Sequence, residues 1–203
     1  MKRKLLTAVF CLLSCGAFAQ ISVGVKAGLN MANVSGDDDA DYRASYLAGA
    51  YLGVNLADKF KLQPELLYVS AGSKASLTDP QSSIKADRTF KFSYIYIPVM
   101  FMYTIAGPLN VQAGPQIGIL TKAEMETKYS SGSVTIPDDT QDIKEELKGA
   151  DFGFNVGLGA EFGKFNVSAR YSIGLANISD AGGDGKNQGI QVALGYSIFS
   201  IGD

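Results

Sequence analysis

The segment Asp151–Leu175, DFGFNVGLGAEFGKFNVSARYSIGL, decides how the chain must be read. Phe152, Phe154, Val156, Leu158, Ala160 and Phe162 take alternate positions, with Gly153, Asn155, Gly157, Gly159 and Glu161 between them. Gly163-Lys164 makes a tight turn, after which Phe165, Val167, Ala169, Tyr171 and Ile173 alternate with Asn166, Ser168, Arg170, Ser172 and Gly174. Period two is the mark of a strand, because successive side chains leave opposite faces of the ribbon. Glycine weakens a strand unless something nearby needs the space. One face is therefore greasy and the other small and polar, and the fold depends on which of them is inside.

The same alternation recurs along the chain. Ile21, Val23, Val25, Ala27, Leu29 and Met31 interleave with Ser22, Gly24, Lys26, Gly28 and Asn30. Tyr46, Ala48, Ala50, Leu52, Val54 and Leu56 interleave with Leu47, Gly49, Tyr51, Gly53 and Asn55. Phe60, Leu62, Pro64, Leu66 and Tyr68 oppose Lys61, Gln63 and Glu65. Leu109, Val111, Ala113, Pro115, Ile117 and Ile119 oppose Asn110, Gln112, Gly114, Gln116 and Gly118, and Ile190, Val192, Leu194, Tyr196 and Ile198 oppose Gln191, Ala193, Gly195 and Ser197. The run Thr89–Tyr103 is apolar on both faces, so its register stays open. With the two runs of the opening segment, these make eight.

The connections alternate as well. Short turns fall at Ala57–Lys59, Ala106–Leu109 and Gly163–Lys164; long polar segments fall at Ser35–Ala44, Ser73–Asp87, Lys122–Ala150 and Ala176–Gln188. Long loops at one end and tight turns at the other describe an all-β, eight-stranded antiparallel up-and-down barrel, and membrane barrels have this asymmetry. Within the third long segment, the charged piece Asp138–Lys148 is read as solvated loop, with a short helix as the alternative.

The polar faces settle the sidedness. A soluble barrel would carry Lys, Glu and Thr outside, whereas here the polar positions are mostly Gly, Ala, Ser, Asn and Gln. Small side chains belong where space is short, and an eight-stranded lumen is barely wide enough to be filled by side chains. Val23, Leu52, Phe154, Val156, Leu158, Val167, Tyr171, Val192, Leu194 and Tyr196 are accordingly expected to face lipid. Lys26, Glu65 and Arg170 fall on polar faces at similar depth, with Glu161 nearer its turn, and the four are expected to form a luminal charge network. Gly157 should lie across from Arg170 and give its guanidinium room. Tyr46 and Phe152 at the loop side, and Phe60, Tyr103, Phe162 and Phe165 at the turn side, suit interfacial girdles.

Composition narrows the function. The 203 residues suit a single domain, and the net charge of −2 offers nothing to nucleic acid. The chain has no histidine, the commonest general base, so a Ser/His hydrolase is excluded, and no cofactor is expected. Lys2, Arg3 and Lys4, the apolar Leu5–Leu13 and Ala17-Phe18-Ala19 read as a signal peptide over residues 1–19, which leaves 20–203 as the barrel domain. Both cysteines, Cys11 and Cys15, lie in that leader; lipidation at Cys15 is the rival reading. Asp37, Asp39 and Asp41 have calcium-loop spacing, but Tyr42 stands where such a loop needs glycine, so the segment is read as a solvated acidic loop and no metal site is expected. Gly182-Gly183-Asp184-Gly185 precedes no helical pattern, which argues against a phosphate cradle.

The runs QISVGVKAGLNMANVSG, YIYIPVMFMY, AGPQIGIL, DFGFNVGLGAEF, RYSIGLANIS and NQGIQVALGYSIF together resemble the outer-membrane-protein β-barrel domain common in Bacteroidota, the "porin family". The resemblance spans essentially the whole chain after the leader. It implies a barrel inserted into the outer membrane by the barrel-assembly machinery; a monomer set among outer-membrane lipid and lipopolysaccharide is expected. It implies neither a pore nor an enzyme. The usual aromatic C-terminus has no counterpart, since the chain continues past Phe199 to Ile201-Gly202-Asp203. The expected role is structural, adhesive or binding, exercised through extracellular loops on an envelope or extracellular protein partner. The alternatives are a small-solute channel, a soluble exported lipocalin-type binding barrel and a carboxylate-based enzyme.

Overall fold

The computed structural model describes residues 20–35, 41–78, 85–131, 134–135, 139–178 and 185–201. The expected signal segment, the acidic stretch 36–40, Gly182 to Asp184 and the last two residues lie outside them. The described strands are β1 (Ile21–Ser35), β2 (Asp41–Ala57), β3 (Phe60–Ala71), β4 (Ser73–Thr78), β5 (Lys85–Ala106), β6 (Leu109–Ser131), β7 (Val134–Thr135), β8 (Asp139–Asp142), β9 (Ala150–Phe162), β10 (Phe165–Gly174) and β11 (Lys186–Ile201).

Neighbour pairs with neighbour around a ring, β1–β2–β3–β5–β6–β9–β10–β11, and β11 returns antiparallel to β1. This eight-strand closure pairs the backbone donors and acceptors within the wall, which a structure lying in hydrocarbon requires. Among the described residues no helix is long and apolar enough to cross a membrane; the crossing is made by strands. Pro108 and Gly163 sit in tight turns, the latter at φ 57°, a left-handed conformation that glycine adopts without strain.

The greasy face is outside. Leu158 is 61 % exposed, Leu194 54 % and Phe154 37 %, while Arg170 is 4 % and Glu65 3 % exposed on the opposite face. Val23, Leu52, Val156, Val167, Tyr171, Val192 and Tyr196 point outward with them. The open register of the fourth run is resolved: Tyr94, Tyr96, Pro98, Met100 and Met102 point inward, Ile95, Ile97, Phe101 and Tyr103 outward.

Two of the expected loops are largely strand. β4 continues the line of β3 beyond Gly72 and pairs with β5 through Lys74–Thr89 to Thr78–Lys85. β6 runs on to Ser131 against β5 and also pairs with β8. The piece Asp138–Lys148 holds β8 and one 3₁₀ turn at Lys144–Glu146. The polar composition of these segments reads as loop because the strands here have left the membrane, and their outer face carries charge.

On β6 the change coincides with one extra residue. Tyr94 pairs with Leu120 but Ser93 pairs with Lys122, so Thr121 is a bulge on β6, and its hydroxyl donates to the Ser93 carbonyl at 2.8 Å. Below the bulge Gln112, Gln116, Gly118 and Leu120 point inward; above it Ala123 and Thr127 do. A bulge advances the side-chain phase by one position. Lys122 and Lys128 therefore stand outside, and Glu126 is held by ion pairs from Lys91 and from Lys128 at 3.2 Å. The inner face of the same region is apolar: Leu47, Leu67, Val69, Ala71, Phe92, Tyr94, Leu120 and Ala123 form a buried cluster, and Ile143 and Ile178 enter it from the connecting segments. The wall is thus inside-out in its lower part and arranged like a soluble barrel in its upper part.

Candidate functional site

The lumen holds the buried polar chemistry. Lys26 on β1, Glu65 on β3 and Arg170 on β10 meet at its centre. Lys26 Nζ donates to Glu65 Oε1 at 2.7 Å, and Arg170 grips both carboxylate oxygens, Nη1 to Oε2 and Nη2 to Oε1, each at 2.8 Å. Gln63 Nε2 adds a bond to Oε1 at 2.7 Å. A bidentate guanidinium–carboxylate pair is among the strongest and most directional of polar contacts. The Glu65 carboxylate accepts from three side chains at once, so it serves as a strut rather than as a proton acceptor. Arg170 Nε donates to Gln112 Oε1 at 2.8 Å, and Gln112 Nε2 to Asn110 Oδ1 at 2.9 Å, which ties the far wall to the cluster.

Glycine makes this crossing fit. Arg170 is paired across the ladder with Gly157, as the spacing around the Gly163-Lys164 turn predicts, and a Cβ on Gly157 would lie 2.8 Å from Arg170 Cα and 2.9 Å from its Cγ. Gly118 likewise leaves room for the Tyr96 ring, 2.4 Å from where its Cβ would be.

Glu161 is not brought into this cluster. It lies four residues beyond Gly157 on β9, about 13 Å along the strand, and its carboxylate takes a bond from Lys61 Nζ at 2.6 Å. Both are partly open to a vestibule of about 380 Å³ at the turn end, whose wall includes Asn55, Asn166 and Ser197. Between the two ion-paired levels the Tyr51 ring lies 5.8 Å from Lys26 Nζ, and its hydroxyl takes a bond from Asn166 Nδ2 at 2.9 Å.

Above the central cluster, Asn155 Nδ2 donates to Gln116 Oε1 at 2.9 Å and Ser172 donates to Asn155 Oδ1. Higher still, Asp151 accepts from the Tyr96 hydroxyl and from Asn187 Nδ2 at 2.9 Å, immediately beneath the apolar cluster. The sequence reading passes over Gln63, Gln112, Tyr51, Lys61 and Asp151. Asp151 was within reach of it: one more step of the Gly153, Asn155, Gly157 alternation lands on it. Lys61 and Glu161 each stand one residue inside a turn on the polar face, which is the signal for their pairing. Among the described residues no group of three or more His, Cys, Asp or Glu side chains could hold a metal.

The family of outer membrane protein beta-barrel domains matches residues 18–180. The chain belongs to this family. It is therefore an integral outer-membrane β-barrel, and its outward Phe, Val and Leu side chains meet lipid, which sets aside the soluble lipocalin-type alternative. Among solved structures, Neisserial surface protein A aligns at 10 % identity over 88 % of this chain and 99 % of its own, with a TM-score of 0.51. The attachment invasion locus protein Ail of Yersinia pestis, in complex with the heparin analogue sucrose octasulfate, aligns at 13 % identity over 89 % of this chain and 99 % of its own, with a TM-score of 0.46. The N-terminal β-barrel domain of Pseudomonas aeruginosa OprF aligns at 12 % identity over 86 % and 97 %, with a TM-score of 0.36. At 10 % identity the likeness to Neisserial surface protein A speaks for the fold alone. No protein of curated function matches the chain.

Proposed function

We propose that this family member is a closed, non-enzymatic barrel that acts from its extracellular side as a structural, adhesive or binding platform. The observation that carries the reading is the double closure of the lumen. Lys26, Glu65, Arg170 and Gln112 bond across it in the membrane, and the apolar cluster with Ile143 and Ile178 fills it above. A lumen filled by side chains leaves no diffusion path. The platform is the sheet that β4, β5, β6 and β8 raise beyond the membrane part of the wall. Its partner is an envelope or extracellular protein. The surrounding contacts are outer-membrane lipid and lipopolysaccharide, insertion is by the barrel-assembly machinery, and the barrel is a monomer. The quoted sequence runs support an origin in the Bacteroidota branch of the family.

Planar-bilayer recording of the purified, heat-modifiable protein tests the closure: an electrically silent bilayer is expected, and steady open-channel currents would establish the small-solute channel instead. Cross-linking on whole cells followed by pull-down, with the 85–131 hairpin trimmed as control, tests the platform. Unchanged capture after trimming would remove that role from the hairpin.

A further inference from the structure

Asp151 stands at the loop-side end of β9, across from Gly118 and next to the girdle residue Phe152, and its side chain is buried in the lumen. Among the described residues no ion pair reaches it. The charged groups of the lumen are engaged elsewhere. Lys26 and Arg170 both bind Glu65, and Arg170 is level with Gly157, six residues along β9 from Asp151, or about 20 Å of strand. Lys61 binds Glu161 at the turn end. Arg43 of β2 gives Nη1 to Ser70 Oγ at 3.2 Å and to the Ala71 carbonyl at 2.7 Å. The titratable groups beside Asp151 are Tyr96 of β5, which donates to it, and Tyr94, whose ring stacks on Tyr96 at 5.2 Å. Asn30 of β1, Gln116 of β6, Ser172 of β10 and Asn187 of β11 line the neighbouring lumen, and all four are uncharged.

The hydrogen bonds of this carboxyl group are lopsided. Oδ2 accepts twice, from the Tyr96 hydroxyl and from Asn187 Nδ2 at 2.9 Å, whereas Oδ1 is buried without a partner. Asn187 has the complementary defect: its nitrogen is used, and its Oδ1 is buried without a partner. Buried polar atoms are rarely left in that condition. An ionised carboxylate and an amide oxygen are both acceptors only, so the two orphans cannot serve each other. A carboxylic acid can serve the amide, because its O–H donor and carbonyl acceptor match the C=O and N–H of a primary amide. We propose that Asp151 is a proton-binding site: the folded barrel holds it as the neutral acid, Oδ1 donating to Asn187 Oδ1 while Oδ2 keeps the bond from Asn187 Nδ2. One proton satisfies both orphans. The acid–amide pair ties β9 to β11 immediately beneath the apolar cluster. Without the proton an uncompensated charge would lie under Leu, Val and Phe side chains, which is costly. The site is a pH-sensitive latch at the floor of that cluster.

The test is urea unfolding of the full barrel in detergent, wild type against Asp151→Asn, over a pH series. Asparagine keeps a donor and an acceptor but cannot ionise, and the other carboxyl groups cancel in the comparison. The folded wild type holds a proton that its unfolded chain releases. Its folding constant relative to Asp151→Asn is therefore expected to fall with rising pH, by about tenfold per unit between about pH 5 and about pH 7. A second readout needs no variant. Asp151 is the buried aspartate among the described residues, so infrared spectra of the wild-type barrel at about pH 7 should contain a protonated-carboxyl band that moves on isotope labelling of aspartate. A ratio that stays flat or rises with pH, or the absence of that band, overturns the proposal and leaves Asp151 an ionised carboxylate served by water.

Discussion

The lower and upper halves of the barrel solve opposite problems with one continuous wall. In the lower half lipid lies outside, so Phe, Val and Leu face outward and the interior is bridged by Lys26, Glu65 and Arg170. In the upper half Lys122 and Lys128 occupy the outer face of β6, and Phe92 and Ala123 are buried on the inside. Burial has a different meaning in each. Above, packing apolar groups away from water gains the ordinary hydrophobic free energy. Below, the lipid side gains nothing from further association, and cohesion comes from hydrogen bonds and ion pairs that a narrow lumen shields from solvent. The transition needs no new strand: along β6 the outward positions change from Ile117 and Ile119 to Lys122 and Glu124, and the extra residue at Thr121 resets the parity.

Ala123→Lys should break the contrast most severely. It would set an ammonium in the apolar cluster, where Ala123 is fully buried, and the loss should exceed that of the other replacements. Limited proteolysis of the refolded protein should find the upper hairpin cut rapidly, while the lower wall keeps its heat-modifiable gel shift. Next in size is Glu65→Ala. Two cations would be left buried without their partner, at a cost of about 3–5 kcal/mol, measurable as a shift in the urea midpoint with unchanged slope. Two positions up the same strand, Leu67→Ala should cost about 2–5 kcal/mol through a cavity instead, and unlike Glu65→Ala its cost should not depend on whether Lys26 is also neutralised.

A pair of lysine substitutions sharpens the boundary between the halves. Leu158→Lys on the outer face of the lower wall should cost about 2–4 kcal/mol, whereas Thr140→Lys at an exposed position of β8, across from Glu126, should stay within about 0.5 kcal/mol. Equal costs would mean that the membrane edge has been misplaced. The smallest effect concerns Glu126. Hydrogen bonds from Lys91 and Lys128 hold its carboxyl below the ordinary glutamate value. Its contribution is therefore present above the unfolded-state value and disappears as the pH falls through the lower folded one. Side-chain carbon NMR should locate that midpoint, and Lys91→Met should move it upward.

Much of this was legible before any coordinates. Alternation placed Val167, Leu194 and Tyr196 on one face and Arg170 on the other because strand geometry forces the parity. The pairing of Arg170 with Gly157 followed from a two-residue turn. Alternation failed in Thr89–Tyr103, where both faces are apolar: one side meets lipid and the other meets Met100, Met102 and the Tyr94–Tyr96 stack, and neither requires a polar residue. It failed again past Thr121, where a phase shift makes regular strand resemble loop. Glu161 was grouped with the wrong partners because position along a strand gives height only roughly, and a difference of four residues separates two levels of the lumen.

The sequence by itself determined the strand count, the sidedness of the lower wall and the identity of the residues that bridge it, since all three rest on period-two parity and on the size of side chains a narrow lumen admits. The tertiary structure alone decided which charges meet, how the bulge at Thr121 resets the parity of β6, and that Tyr96, Asp151 and Asn187 meet in the lumen. Those depend on register between strands distant in the chain and on a single inserted residue, and local composition carries no record of either.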